Sequence, residues 1–203
     1  WFTRPVAGGI HTVSSGREAQ LAVQQRFYGA ASEAEIAARW KDDLEAAENA
    51  RVIVLGVPSD AGAGLRRGAN LGPLALRQAL GDDWRSRMRE KGVVDLGDVR
   101  SVQHLLEDAM LGAPQIESTR RALYGELSHE EQSDLPVSPL SIAERVVDRV
   151  LEINPTARVV LLGGDHSIAW PAIVALRRRR PAEILGIVQV DAHTDLLAER
   201  LGV

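Results

Sequence analysis

Four strand-length, largely apolar runs constrain this chain most: RVIVLGV at 51–57, a shorter one expected at Val93–Leu96 within VVDLGDV, RVVLL at 158–162 and ILGIVQV at 184–190. A strand with one wet face alternates apolar and polar residues, whereas one that is apolar throughout is covered on both faces. Helical periodicity lies between the runs. Ser32 and Glu35 have capping-box spacing, and Ile36, Trp40 and Leu44 recur every four residues, which predicts a helix from Ser32 to about Asn49. Pro73 suits the first turn of a short helix, PLALRQAL. Ser141 and Glu144 repeat the capping-box spacing at the head of an apolar stripe of Ile142, Val146, Val147, Val150 and Leu151. A further helix is expected after GGDH, through Arg180. Strands that alternate with helices and are buried on both sides predict an α/β fold with a mainly parallel sheet between helices.

The ends of this pattern are weaker. Residues 1–30 show no sustained period, and GGIHTVSSG is rich in turn formers, so this segment is expected to be a loosely attached arm, with the α/β domain in 31–203. Residues 100–140 are mixed and acidic, and they close in the loop QSDLPVSP.

Composition excludes several classes of function. With 203 residues, 45% of them hydrophobic, one core forms without staples. The apolar runs fall short of the ~20 residues of a membrane helix. The sequence has no cysteine, which removes disulfides, thiolate zinc sites, iron–sulfur clusters and a cysteine nucleophile. A bound metal must therefore use His, Asp or Glu. A net charge of −4 gives no general attraction to nucleic acid or to anionic membranes. The run Arg177–Arg180 reads as the cationic last turn of a helix. The glycine-rich AGAGLRRGANLG, flanked by Arg66, Arg67 and Arg77, matches neither GxxxxGK[ST] nor GxGxxG. Ser167 lacks the GxSxG elbow of a serine hydrolase. A charged-then-apolar leader is not seen, so the expected location is cytoplasmic.

Chemistry concentrates after the last two runs. In DAHTD, Asp191, His193 and Asp195 alternate, so extended backbone projects all three to one side. GGDH places His166 after the preceding run, and parallel neighbours are ~4.8 Å apart. Two imidazoles and two carboxylates then face one spot at the carboxyl ends of strands, where α/β sheets bind ligands. Such a nitrogen and oxygen set suits Mn²⁺, Fe²⁺ or Zn²⁺. Asp165 has two readings: it caps the helix that follows, or it orients a ligand imidazole from behind.

GGDHS and DAHTD, in this order and spacing, resemble the two upstream metal motifs of the ureohydrolase family, which includes arginase, agmatinase and formiminoglutamase. The likeness runs from about Arg51 to Leu196 and takes in VPSD, GANLGPLALR and DLGD. It implies a three-layer α/β/α fold of which the carboxyl-terminal part is missing here, and a centre of two manganese ions. By resemblance, His166 is a ligand of one ion and His193 of the other, Asp191 bridges them, and Asp195 is a further ligand of the first. The implied activity is hydrolysis of a guanidino compound such as agmatine or arginine to urea and an amine, by attack of a metal-bridging hydroxide. The family is commonly oligomeric, so a homo-oligomer is expected of the complete protein.

The family draws two more carboxylates from a downstream SxDxDxxDP-type motif and a histidine from a later segment, and neither is present in this sequence. These 203 residues alone are therefore expected to bind metal weakly and to be inactive, with the catalytic proton shuttle unassigned. The alternative is a noncatalytic structural or regulatory relative with an incomplete metal site. Leu197 stands where arginases have asparagine, which shifts the expectation from strict arginine use toward agmatine or another guanidino substrate.

Overall fold

Three of the four apolar runs are strands in the computed structural model, which describes residues 2–9, 16–102 and 104–193. They are β2 (Val52–Val57), β3 (Val93–Val99) and β4 (Arg158–Gly163), and a short β1 (Thr3–Arg4) precedes them. The sheet order is β1-β3-β2-β4. β2 pairs in parallel with both β3 and β4, and β1 pairs antiparallel with β3. The helices are α1 (Arg17–Tyr28), α2 (Glu33–Ala46), α3 (Gly72–Leu80), α4 (Trp84–Glu90), α5 (Ala113–Tyr124), α6 (His129–Gln132), α7 (Pro139–Ile153) and α8 (Ala169–Arg179).

Strand alternation sorts the side chains into two faces. Ile53, Leu55 and Val57 of β2 join Val94, Leu96 and Val99 of β3 in a core closed by Leu44 of α2 and by Ile142, Val146, Val147 and Val150 of α7. Asp95 and Asp98 of β3 belong to the opposite face, where Arg77 of α3 meets them. Helices thus cover both sides, as the mainly parallel α/β reading requires. Asn154, after α7, donates to the carbonyls of Ala47 and Ala50 at 2.9 and 2.8 Å and so ties the end of α7 to the turn that leads into β2. Arg178 and Arg179 of α8 pair with Glu144 and Asp148 of α7, which accounts for half of the arginine run. Among the described residues, no helix is long and apolar enough to cross a membrane.

Four expectations change. Over its described part, the supposed arm is built into the fold: Thr3 and Val6 are buried, and Phe27 and Tyr28 of α1 pack with Val6 and Ile36. Its helix has a mixed surface and buries only its end, so periodicity did not reveal it. Residues 100–140, which carry no clear period, contain α5 and α6. α7 begins at Pro139 rather than at Ser141, because proline fits the first turn and Ser141 Oγ instead accepts the Asp108 N–H at 3.0 Å. The run 184–190 forms no strand: Ile184 is 100% exposed, Val188 92% and Val190 96%. Apolar composition supplies the faces of a buried strand, but a ladder needs a paired neighbour, and this run has none here.

Candidate metal centre

The site is built from two strand exits laced together. β2 leaves through Pro58, Ser59 and Asp60, and β4 leaves through Gly164, Asp165 and His166. A Cβ on Gly164 would lie 1.9 Å from the Ser59 carbonyl oxygen, so only glycine allows the two backbones to cross this closely. The Asp165 N–H donates to that same carbonyl at 3.0 Å. Gly72, at the start of α3, sits equally tight, since its Cβ would fall 2.1 Å from Gly163 O.

Asp165 does what a cap does. Its Oδ1 accepts the Ser167 N–H at 3.0 Å and the Ser167 hydroxyl as well. Its Oδ2 accepts the Gly62 N–H at 2.8 Å, which fixes the glycine-rich loop after β2 to the histidine-bearing turn after β4. The other foot of that loop is Asp60, nearly buried, which takes Arg67 at 2.5 Å and the Gly68 N–H at 2.7 Å. The Arg67 hydrogen bond, chiefly, holds the Asp60 carboxyl below the usual carboxylate range.

The candidate ligands converge in part. His166 Nδ1 lies 3.3 Å from Asp191 Oδ2, and the His166 side chain is about half exposed. Asp191 Oδ1 accepts the His193 N–H at 2.9 Å, and His193 Nδ1 is 3.6 Å from the same oxygen. That backbone hydrogen bond, first, and then the two imidazoles lower the pKa of Asp191. A carboxylate held ionised between two imidazoles is a donor set of the right chemistry for a divalent cation. Among the described residues, no group of three His, Cys, Asp or Glu side chains is close enough to hold a metal ion. Asp195 lies outside the described residues.

A buried charge cluster escaped the sequence reading. Arg77 forks onto Asp95 and reaches Asp98, while Trp84 Nε1 lies 3.5 Å from Asp95. The signal was present: two aspartates interrupt an otherwise apolar strand run, and buried carboxylates need partners. Arg77, which flanks the glycine-rich loop in sequence, is engaged by these two carboxylates.

Fold and site together define a class: a mainly parallel α/β protein in which a histidine just past the end of β4 meets a carboxylate from the segment after α8. A family model described as Arginase family matches residues 50–202, so the chain belongs to the arginase family. It is 26% identical over 155 residues to an agmatinase of Pyrococcus horikoshii, covering 73% of this chain and 42% of that protein. It is 30% identical over 158 residues to an N(1)-aminopropylagmatine ureohydrolase of Thermococcus kodakarensis, covering 73% and 41%. Human arginase-1 matches at 32% over 77 residues, 36% of this chain and 23% of that protein. The chain spans less than half the length of these curated relatives.

Proposed function

We propose that this chain supplies the first metal-binding motifs of a manganese-dependent amidinohydrolase, which hydrolyses a guanidino compound such as agmatine or arginine to urea and an amine. The observation that carries the reading is the approach of His166 to Asp191 at 3.3 Å, at the carboxyl end of a parallel sheet in a chain of the arginase family. His166, Asp191, His193 and Asp195 are the residues that would hold the metal, with Asp191 placed between the two imidazoles. When bound, a pair of divalent cations lowers the pKa of water enough to make it a nucleophile near neutral pH. The chain's own part is to aim its donors: the Gly164 crossing fixes where His166 starts, and Asp165 ties that turn to the loop after β2.

Two of the similar proteins are named for agmatine or an aminopropyl derivative of it, and Leu197 supports a substrate without arginine's α-carboxylate. A cytoplasmic homo-oligomer is the form in which we expect the complete enzyme. The test is urea release by the complete protein with Mn²⁺, from agmatine, arginine and shorter guanidino acids in parallel. Urea from one of them, lost on Asp191→Ala, supports the reading. Bound manganese with no urea from any of them favours the noncatalytic relative instead.

A further inference from the structure

We infer that the groove between β1, α2 and the end of α5 is a phosphate site, in which Arg4 and Arg100 together hold a phosphate dianion, free or as the head of an organic ester. The groove has a volume of about 920 Å³, the size of a small-ligand site, and none of the candidate metal donors lines it. It lies toward the β1 edge of the sheet, whereas the candidate metal centre lies toward the β4 edge. Register brings the two arginines together. Arg4 stands opposite Asp98 in the β1–β3 ladder, and the Arg100 N–H donates to Phe2 O at 3.2 Å. Arg4 and Arg100 are thus diagonal neighbours on paired strands, within reach of long side chains. The Asp98 carboxylate does not serve them, since Arg77 and the Ala7 N–H take its two oxygens.

Neither guanidinium is neutralised. Among the described residues, the exposed Arg4 side chain forms no ion pair and no hydrogen bond. The Arg100 guanidinium donates only to the Leu123 carbonyl, through Nη1, and its Cζ lies 5.6 Å from the centre of the Tyr124 ring. Among the same residues its Nε is buried without a hydrogen-bond partner, and Nη2 has none either. Burial, first, and the Arg4 charge, next, lower the pKa of Arg100, and Glu126 opposes them without outweighing them. Two like charges held together with no counter-ion cost free energy, more so where one is partly buried. A cation at the last turn of α5 is favourable by itself, which accounts for Arg100 but not for a second cation beside it.

The other donors of the groove are already engaged. Arg17 pairs with Glu33 at 3.0 Å, Gln20 and Gln24 donate to the Ala7 and Val6 carbonyls at 2.6 and 3.0 Å, and Ser101 Oγ donates to Pro58 O at 3.0 Å. The open donors are therefore those of Arg4 and Arg100. Two guanidiniums carry two positive charges and fork onto oxyanions, which matches a phosphate dianion better than a single carboxylate. Ile36, Trp40 and Leu123 line the same groove and give the organic part of an ester an apolar bed.

The test is calorimetric titration of the 203-residue chain with inorganic phosphate, phenyl phosphate and benzoate, at constant ionic strength and about pH 8, where the phosphates are dianions. Saturable binding of a single phosphate per chain is expected, with benzoate at least about tenfold weaker. Phenyl phosphate binding tighter than inorganic phosphate identifies an ester as the ligand, and binding no tighter identifies free phosphate. Arg4→Gln should weaken phosphate binding at least about tenfold and leave the melting temperature without ligand unchanged, because Arg4 holds no other group. Arg100→Lys keeps the charge, loses the fork and should also weaken binding. Arg158→Gln removes an equal charge from an exposed position on β4 and should change nothing. No saturable phosphate binding overturns the proposal. Equal weakening by Arg4→Gln and Arg158→Gln overturns it too, since net charge alone would then explain the binding, and benzoate as tight as phenyl phosphate overturns the dianion assignment.

Discussion

Arg77 of α3 grips Asp95 of β3 through both carboxylate oxygens, its Nε and Nη2 each donating at 2.8 Å, with both side chains all but sealed from water. Its Nη1 goes to Asp98 Oδ1 at 2.5 Å, and the other Asp98 oxygen accepts the Ala7 N–H at 2.8 Å. One guanidinium therefore ties α3, β3 and the N-terminal segment together. Burial by itself would lower the pKa of Arg77, but the two carboxylates outweigh it and leave the pKa raised, so the charge persists.

Removing that cation strands two buried carboxylates. Arg77→Met should lower the unfolding free energy in urea by about 3–5 kcal/mol, the cost of breaking a buried pair from one side. A loss under about 1 kcal/mol would show that apolar packing, not the ion cluster, holds α3 to the sheet.

Gly164→Ala forces a methyl group into the Ser59 carbonyl. The backbones must part, which should cost about 1–3 kcal/mol by overpacking and weaken Mn²⁺ binding through the displaced His166. Unchanged thermal stability would mean the two strand exits are not rigidly laced.

Asp165 links the loop after β2 to the His166 turn, so Asp165→Ala should loosen residues 61–68. Loss of the cap costs about 1 kcal/mol, and trypsin should then cut faster after Arg66, which that loop carries. Asp165→Asn keeps one acceptor and should fall between. Equal cleavage rates in all three proteins would contradict the tether.

Acid should release the same loop by another route. Asp60 has a folded-state pKa below its unfolded value of about 3.9, so its contribution is complete above that pH and is lost as pH falls through the lowered pKa. Asp60→Asn should flatten the acid limb of the stability curve and leave its shape at neutral pH unchanged. An acid limb identical to that of the unmodified protein would remove Asp60 from this role.

What the sequence made legible depended on how local the physics was. β2, β3 and β4 could be read because each carries its own burial pattern, and α2 because Ser32 accepts the Glu35 N–H within its own first turn. α1 could not be read, since its buried Phe27 and Tyr28 pack on Val6, far away in sequence. Residues 184–190 were misread because an apolar run does not say whether a neighbouring strand awaits it. At the site, GGDH and DAHTD offer candidate donors through short spacings, whereas the bond from Gly62 to Asp165 spans 103 positions and appears only once the chain is folded. The partners of Asp95 and Asp98 were hidden in the same way, on a helix that the sheet has to meet first.

The most direct test of the metal centre is a Mn²⁺ titration of the histidine ring resonances by NMR, because His104 and His129 serve as controls within the same chain. Substoichiometric Mn²⁺ should broaden the signals of His166 and His193 first and leave those of His104 and His129 sharp, and Asp191→Ala should abolish that selectivity. Uniform broadening of all the rings, or none at His166 and His193, would contradict the assignment of these residues as the metal site.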